Sequence, residues 1–288
     1  MNKNDLLFSR LRVAACVLAL SMSGCDDTPV TCESSKSGDA AAFLAVEGLT
    51  IQHSLSKKSG NPVDLTNLLV ELVDPASFAD PATEKPLASQ KLDTSTLGGS
   101  PASWSFTSVD LLDTTNTLLA SIKDGRTENP LWVTTYANVA DAARLDELRA
   151  SNGAIADVRT FALTRDAIDA VVAPVLGQSG GDVLARGVLI GIVVDPADAC
   201  GDPQPAVSDC TVTTDRQDVT ISYPDSRVEG LTDETANQGM FFAVPNAVGM
   251  ASTANFTITA GSFDSREWAT TSAWIVPGRV TIQLFVAK

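Results

Sequence analysis

Ser179 and His53 are the residues of this 288-residue sequence whose types suit nucleophilic catalysis. Ser179 lies in the run 177–181 (GQSGG), and His53 is the single histidine of the chain. A serine nucleophile needs a base beside it, and several aspartates lie between the two positions, so the order His–Asp–Ser is available. That pattern would suit a hydrolase. A Gly/Ser hinge that follows a helix explains the same residues without any chemistry.

Two short motifs resemble those of enzyme families, and both depart from the family pattern. GQSGG resembles the GDSGG loop of chymotrypsin-like proteases, but Gln178 replaces the aspartate and no cysteine precedes the serine in its usual place. The run 54–57 (SLSK) matches the SxxK pattern of penicillin-binding enzymes without the SDN and KTG partners, so we expect a solvated loop over residues 54–61, between strands. The chain also lacks HExxH, Walker and dinucleotide motifs, and we expect no catalytic residues.

Aspartates and cysteines near position 200 offer the other candidate chemistry. Asp195, Asp198 and Asp202 are weak candidates for calcium ligands, because no calcium-loop signature organises them. If the chain is exported, Cys200 and Cys210 are the expected disulfide partners. Their spacing is not the paired CxxC of a zinc site, so a metal site is disfavoured. Closing that loop would stabilise the fold by roughly 2.5–3 kcal/mol. We expect no cofactor.

The first 24 residues have the order of a secretory signal peptide. Three basic residues precede the apolar run 13–20 (VAACVLAL), and small residues follow it. The run is too short to span a bilayer, which needs roughly 20 apolar residues. The segment 22–25 (MSGC) resembles the bacterial lipobox, which implies that Cys25 is lipidated and that the protein is held on a membrane. The alternative is an ordinary signal peptide with a chance cysteine near its end.

The chain that would follow the signal peptide is acidic. The full sequence has 20 basic and 35 acidic residues, and residues 25–288 keep 17 and 34 of them, a formal charge of −17. Such a charge repels phosphate backbones, so nucleic-acid binding is disfavoured. A hydrophobic content of 44% excludes wholesale disorder.

Short strands broken by Pro, Gly, Asn and Asp dominate the pattern beyond a polar, flexible tether over residues 25–39. The alternation in 280–286 predicts a final strand with one buried face. Helices are predicted over 140–150 and 164–177, the second with Thr164 as its N-cap and a kink or early end at Pro174. Other candidate strands lie near 43–52, 68–73, 103–109, 117–123, 131–137 and 155–163.

The segment 235–242 (TANQGMFF) has a threonine, a polar turn, a glycine and then aromatic residues that begin a strand. Together with 191–195 (GIVVD) and Thr211–Val212, it resembles the carboxypeptidase regulatory-like, or transthyretin-like, β-sandwich family over residues 186–288. The resemblance implies a sandwich without catalytic residues of its own. The loop that carries Cys200 is longer than the turn usual in that family, and residues 223–233 look like an insertion.

The predicted fold is mainly β, with two Ig/transthyretin-like β-sandwich domains joined by a short helical segment. The predicted parts are a signal peptide (1–24), the tether (25–39), an N-terminal sandwich (40–163), a linker helix with a Gly/Ser hinge (164–185) and the regulatory-like sandwich (186–288). Whether the first sandwich is a diverged copy of the second stays open.

The predicted function is that of a non-catalytic, lipid-anchored module of the bacterial cell envelope, structural or interacting with an envelope protein or glycan. It would lie at the outer membrane or on the periplasmic face of the inner membrane. An extracytoplasmic protein that binds a small ligand, a glycan or calcium is the first alternative, and a secreted serine hydrolase that uses Ser179 and His53 is the second. An exposed aromatic patch around the four tryptophans would favour a binding protein. These are Trp104, Trp132, Trp268 and Trp274.

Overall fold

The computed structural model describes residues 44–58, 65–79, 85–92, 101–111, 114–151, 153–196, 205–261 and 264–288. The predicted signal peptide, the tether with Cys25, and the stretch with Asp198, Cys200 and Asp202 lie outside these residues. Strands predominate in the described residues, so the mainly-β prediction is confirmed.

The strands before residue 165 alternate with short helices. The helices are α1 (Ser54–Lys58), a 3-10 helix (Pro75–Ala79) and α2 (Ala142–Ser151). Because Leu55 and Ser56 on α1 are buried, the predicted solvated loop at this position is wrong. The strands are β1 (Leu44–Gln52), β2 (Leu68–Val73), β3 (Ala88–Lys91), β4 (Ala102–Val109), β5 (Leu118–Asp124), β6 (Trp132–Val133), β7 (Thr135–Ala140) and β8 (Ala154–Thr164).

A helical segment follows β8, and the remaining strands complete the chain. The helical segment consists of α3 (Arg165–Ala167), a π-helical turn (Ile168–Val172), α4 (Ala173–Val175) and α5 (Gly180–Arg186). The strands are β9 (Val188–Val194), β10 (Thr211–Thr214), β11 (Val219–Pro224), β12 (Leu231–Thr232), β13 (Met240–Pro245), β14 (Ser252–Thr259), β15 (Thr271–Ile275) and β16 (Val280–Val286).

Within the described residues the strands form three sheets. The first sheet has the order β4-β1-β8-β6, and the small sheet has the order β10-β14-β15. The long sheet has the order β12-β11-β13-β9-β16-β7-β5-β2-β3. The first sheet shares one core with β2 and β5, and the small sheet shares another with β9, β13 and β16. The prediction of β-sandwich packing is therefore confirmed.

Strands on either side of the helical segment pair by the same scheme, if the short strands β6 and β12 are set aside. In each set the first strand is antiparallel to the fourth (β1–β4 and β9–β13) and parallel to the last (β1–β8 and β9–β16). Strand β5, the fifth of the first set, is antiparallel to β2 and to β7. Strand β14, the fifth of the second set, is likewise antiparallel to β10 and to β15. The third strand differs, because β3 pairs with β2 whereas β11 pairs with β13.

The long sheet runs across the predicted boundary between the two sandwiches. Strand β16 is parallel to β7 through the pairs Val280–Thr135 and Thr281–Tyr136. The backbone N–H of Val280 also donates to the carbonyl of Thr134 (3.1 Å). Two separate sandwiches joined only by a helical linker are thus not confirmed, because the two halves also share a hydrogen-bonded strand pair.

The helical segment covers one face of the long sheet. Its residues Ile168, Val171 and Val172 are buried in one core with Val188 and Phe242. As predicted, the hydroxyl of Thr164 caps the segment and accepts from the N–H of Ala167 (3.3 Å). Proline has no N–H to donate to a helix. The turn before Pro174 is π-helical, and in it the N–H of Ala173 donates to the carbonyl of Ile168. None of the helices in the described segments is long and apolar enough to cross a membrane.

Strand β16 has the buried face that its alternation predicted, and residues of its other face are buried as well. Val280 and Ile282 share a core with the helical segment, and Phe285 on the other face lies in the core under the small sheet. The strand lies inside the long sheet with layers on both sides, which explains the burial of both faces, although Val286 at its end is 40% exposed.

Candidate functional site

Ser179 is the N-cap of α5. Its hydroxyl accepts from the backbone N–H of Asp182 (3.1 Å) and donates to the Oδ2 atom of Asp182 (2.6 Å). Gly180 is required next to it, because a Cβ there would lie 1.7 Å from Oδ1 of Asp169. The GQSGG run therefore ends one helical segment and begins the next, where the sequence predicted a flexible hinge. These contacts are those of a helix cap and do not pair the serine with an imidazole.

His53 follows β1 and is buried, with 2% of its surface exposed. Its Nδ1 accepts from the backbone N–H of Leu55 (3.2 Å), and its ring centroid lies 5.6 Å from that of Phe161 in an edge-on arrangement. Removal from water disfavours the charged imidazolium and lowers the pKa of His53 from 6.5 to about 4. The structure thus holds His53 as a neutral core residue, and its hydrogen bond goes to Leu55 and not to Ser179.

Asp195, the described member of the calcium candidates, is an ion-pair partner. Its Oδ1 accepts from Nη1 of Arg266 (2.6 Å), and the same guanidinium binds Asp264 through Nε (2.6 Å). The hydrogen bonds from Arg266 lower the pKa of Asp264. Asp198 and Asp202 lie outside the described residues, so the calcium site stays a prediction.

Cys210 is a free, buried thiol in this structure. Its sulfur donates weakly to the carbonyl of Ser208 (3.5 Å), and burial raises the pKa of the thiol. Cys200, the predicted disulfide partner, lies outside the described residues. The bond between the two stays a prediction.

The TANQG segment ties two parts of the C-terminal strands together. Thr235 is buried, and its hydroxyl donates to the carbonyl of Val207 (3.1 Å) and accepts from the N–H of Cys210 (3.0 Å). Gly239 has a φ of +61°, and a Cβ there would lie 2.3 Å from the carbonyl oxygen of Val193. Phe241 and Phe242 then enter opposite faces of the long sheet, and both are fully buried.

Trp274 differs from the other three tryptophans because it is only partly buried and lines a pocket. Trp104, Trp132 and Trp268 are 3%, 3% and 8% exposed, so they belong to the cores. An exposed aromatic patch, the feature that would favour a binding protein, is therefore limited to Trp274 and the side chains around it.

A pocket of about 500 Å³, here called the aromatic pocket, lies beside the pairing of β7 with β16. The 3-10 helix contributes Phe78, strand β7 contributes Tyr136, and strand β15 contributes Trp274. The Phe78 ring centroid lies 5.0 Å from that of Tyr136 and 5.9 Å from that of Trp274, the second pair edge-on at 85°. Phe78 and Trp274, from distant parts of the sequence, thus form adjoining walls, and Tyr136 lies beneath them.

Local sequence chemistry holds the elements that carry these walls. Asp74 caps the 3-10 helix, because its Oδ1 accepts from the N–H of Ala76 (2.9 Å) and its carbonyl accepts from the N–H of Ser77 (3.0 Å). On the opposite side, residues 276–279 (VPGR) form a β-turn in which Arg279 N–H bonds Val276 O (3.1 Å). Gly278 has a φ of +76° there, which is what the third position of a type II turn requires.

The pocket has an apolar floor and one charged wall. Tyr136 and Val276 are buried at 1% and 7% exposure and form part of a core beneath it. Arg279 is the charged residue among the lining side chains that the structure describes. Met250, on the loop after β13, is 87% exposed at the rim. Sequence analysis missed Phe78, Tyr136 and Arg279, although the Pro277–Gly278 dipeptide is a turn signal that could have drawn attention to the last of them.

No protein-family model matches this chain, and no curated protein matches it. The shaft pilin SpaA from Lactobacillus rhamnosus GG is similar at 10% identity, with 85% of this chain and 98% of that chain covered and a TM-score of 0.23. A streptococcal ancillary pilin has 10% identity, coverage of 87% and 64%, and a TM-score of 0.21. The Bacillus anthracis TIE protein has 9% identity, coverage of 85% and 34%, and a TM-score of 0.20. These TM-scores are too low for the likenesses to bear on the fold or function of this chain.

Proposed function

We propose that this chain is a non-catalytic protein of the bacterial cell envelope, anchored by lipid on Cys25, that acts as a structural or interaction module. The observation that carries the proposal is the order of features at the amino end: basic residues, a short apolar run, Gly24–Cys25 and a polar tether. Two acyl chains would make such an anchor durable, at about 0.8 kcal/mol for each buried methylene. The envelope location proposed from the sequence is the outer membrane or the periplasmic face of the inner membrane.

The contacts of the candidate catalytic residues support the non-catalytic part of the proposal. The hydroxyl of Ser179 is engaged with Asp182, and the neutral ring of His53 is buried against Phe161. A serine nucleophile would need the imidazole as its hydrogen-bond partner. The serine hydrolase alternative therefore has no support from these contacts.

We also propose that the body consists of two related sandwiches, over residues 40–163 and 186–288, with residues 164–185 between them. The common pairing scheme of the two sets of strands supports a duplication. The TANQG segment, with its buried threonine and its glycine at positive φ, supports a regulatory-like sandwich for the second set.

Cysteine variants of the chain, produced in a bacterial host with an intact lipoprotein pathway, test the anchor. Wild type should partition into the detergent phase of Triton X-114, and mass spectrometry should find a diacylated amino-terminal Cys25. Cys25→Ala should lose the lipid and either keep its leader or move to the aqueous phase.

Cys16→Ala and Cys32→Ala are matched controls, since they remove cysteines from the leader and from the tether. Both should behave as wild type does. An unmodified thiol at Cys25 in the mature protein, or unchanged detergent partitioning of Cys25→Ala, would show that the anchor proposal is wrong.

A further inference from the structure

We propose that strand β4 pairs with strand β4 of a second copy of this chain, so that the first sheets of the two copies join across a two-fold axis. The proposal goes beyond the envelope function and holds whether or not Cys25 is lipidated. Its basis is a long edge strand whose exposed side chains are uncharged. An edge strand of that kind is a template for pairing with another strand.

Strand β4 is antiparallel to β1, and on its other side it has no hydrogen-bonded neighbour within the described residues. Its inner side chains Trp104 and Phe106 are 3% and 9% exposed and belong to the core that the first sheet shares with β2 and β5. Its outer side chains are exposed, and these are Ser103, Ser105, Thr107 and Ser108. The core therefore holds the strand in place, and its outer edge stays available to a partner.

Of the six strands that end a sheet in the described segments, β4 is the longest. Strands β6 and β12 have two residues each, β3 and β10 have four, β15 has five, and β4 has eight. In addition, β3 ends in the exposed Lys91, and the exposed Asp215 follows β10 directly. Soluble proteins block edge-to-edge pairing with short edge strands, charges and prolines. Strand β4 (ASWSFTSV) has none of these protections.

A second copy suits this edge in spite of the formal charge of −15 on the chain. Glu47 on β1 pairs with Ser105, so the order across the joined face would be Glu47, Ser105, Ser105 and Glu47. The two carboxylates would lie about 14 Å apart at the usual spacing of neighbouring strands. That distance exceeds the Debye length of about 8 Å at physiological ionic strength, so their repulsion is screened. Asp110, which follows β4, would lie at opposite ends of the strand pair in the two copies.

The alternation of β4 restricts the register of the pair. Residues that lie opposite each other in an antiparallel pair point to the same face, so an outer residue must meet an outer residue. Placing Ser105 opposite Ser105 of the second copy meets this condition and overlaps residues 102–108. It also places Ser103 opposite Thr107 of the second copy, and cross-strand hydroxyl pairs of this kind are favourable. The contact is isologous, as in most homodimers.

Sedimentation velocity of the purified full-length chain at several concentrations, in about 0.15 M salt, tests the dimer. Wild type should form a weak, reversible dimer, because one strand pair buries less area than a stable interface does. Ser105→Lys and Ser105→Glu should each raise the Kd of the dimer about tenfold or more, since like charges would lie directly opposite each other.

An equal mixture of Ser105→Lys and Ser105→Glu should recover the dimer, because the opposing pair then has opposite charges. This recovery also shows that both variants are folded. Thr253→Lys is the matched control, since Thr253 is an exposed residue of β14, the middle strand of the small sheet. It should dimerise as wild type does.

Hydrogen exchange locates the contact. The amides of residues 102–109 should exchange more slowly as the concentration of wild type rises, because the strand pair protects them. Four outcomes would overturn the proposal: a wild type that stays monomeric up to about 100 μM, a dimer that Ser105→Lys leaves unchanged, a mixture that stays monomeric, and exchange in β4 that does not depend on concentration. Failure of the Cys25 experiment would leave these measurements unaffected, because they report on the strand edge alone.

Discussion

His53 and Thr235 show that single buried polar side chains of this protein serve its packing. Each is fixed by backbone groups close in space: His53 by the N–H of Leu55, and Thr235 by the carbonyl of Val207 and the N–H of Cys210. Buried polar groups of this kind destabilise the fold when their partners are lost or their charge changes. The titratable member of the two, His53, therefore gives stability a pH dependence.

The free energy of unfolding should fall with acidification through His53. Burial lowers its pKa from 6.5 to about 4, so the unfolded chain takes up the proton first as the pH falls. The contribution of the neutral His53 to the free energy of unfolding is complete above pH 6.5. It declines between pH 6.5 and 4 and levels off below pH 4. The loss should be on the order of 3 kcal/mol across that window. Urea unfolding of wild type at several pH values measures it.

His53→Asn is the control for this measurement, because its amide oxygen can still accept from Leu55 N–H but does not titrate. Its stability should depend less on pH between 4 and 6.5 than that of wild type. Equal pH profiles for the two proteins would contradict a buried, neutral His53.

At the scale of the elements, strand β9 requires a glycine at position 191. Gly191 pairs with Phe241 on β13, and a Cβ at Gly191 would lie 2.1 Å from two atoms of the Phe241 ring. That ring is packed between Phe256 and Phe285, at centroid distances of 6.0 and 5.2 Å, so it has little room to move. The glycine of the GIVVD run is thus explained by the aromatic residue that follows the TANQG turn.

Gly191→Ala should destabilise the protein by about 1–3 kcal/mol, because overpacking forces neighbouring side chains or strands to shift. Thermal unfolding should show this as a decrease of about 2–4 °C in Tm for each kcal/mol. Gly181→Ala is the control, since it lies in α5 and a Cβ there meets nothing closer than 3.8 Å. It should be neutral or stabilising, as alanine favours a helix. A Gly191→Ala variant as stable as wild type would contradict the close contact with Phe241.

At the scale of the whole molecule, the two sets of strands are joined by more than a linker. The described residues between 44 and 288 form one compact unit. Leu55 of α1, Val133 of β6 and Leu163 of β8 share a core with Val188 and Ile190 of β9. The β7–β16 pairing continues the long sheet between the two sets.

Unfolding should therefore be a single cooperative transition in spite of the duplicated pairing scheme. Differential scanning calorimetry should show one peak, with a calorimetric enthalpy equal to the van't Hoff enthalpy. Two resolved peaks would indicate that each set of strands unfolds by itself and that the shared core contributes little.

The sequence alone determined those features that depend on neighbouring residues. Strand β2 was predicted over 68–73 and β16 over 280–286, and the structure places them at Leu68–Val73 and Val280–Val286. Thr164 as an N-cap and the turn before Gly239 were also foreseen, because capping and positive φ are properties of a few adjacent residues. Strand 131–137 was predicted as one, but it divides at Thr134 into β6 and β7, which join different sheets.

Tertiary structure alone decided which strands and side chains meet. The β7–β16 pairing joins Tyr136 to Thr281, and no local pattern specifies a partner at that separation. The aromatic pocket likewise assembles Phe78, Trp274 and Arg279 from elements far apart in the chain. Ser179 and His53 had suitable types and order for catalysis, yet packing assigned one to a helix cap and the other to a core. Residue types and short spacings describe local structure, whereas a site depends on long-range packing, which local patterns do not encode.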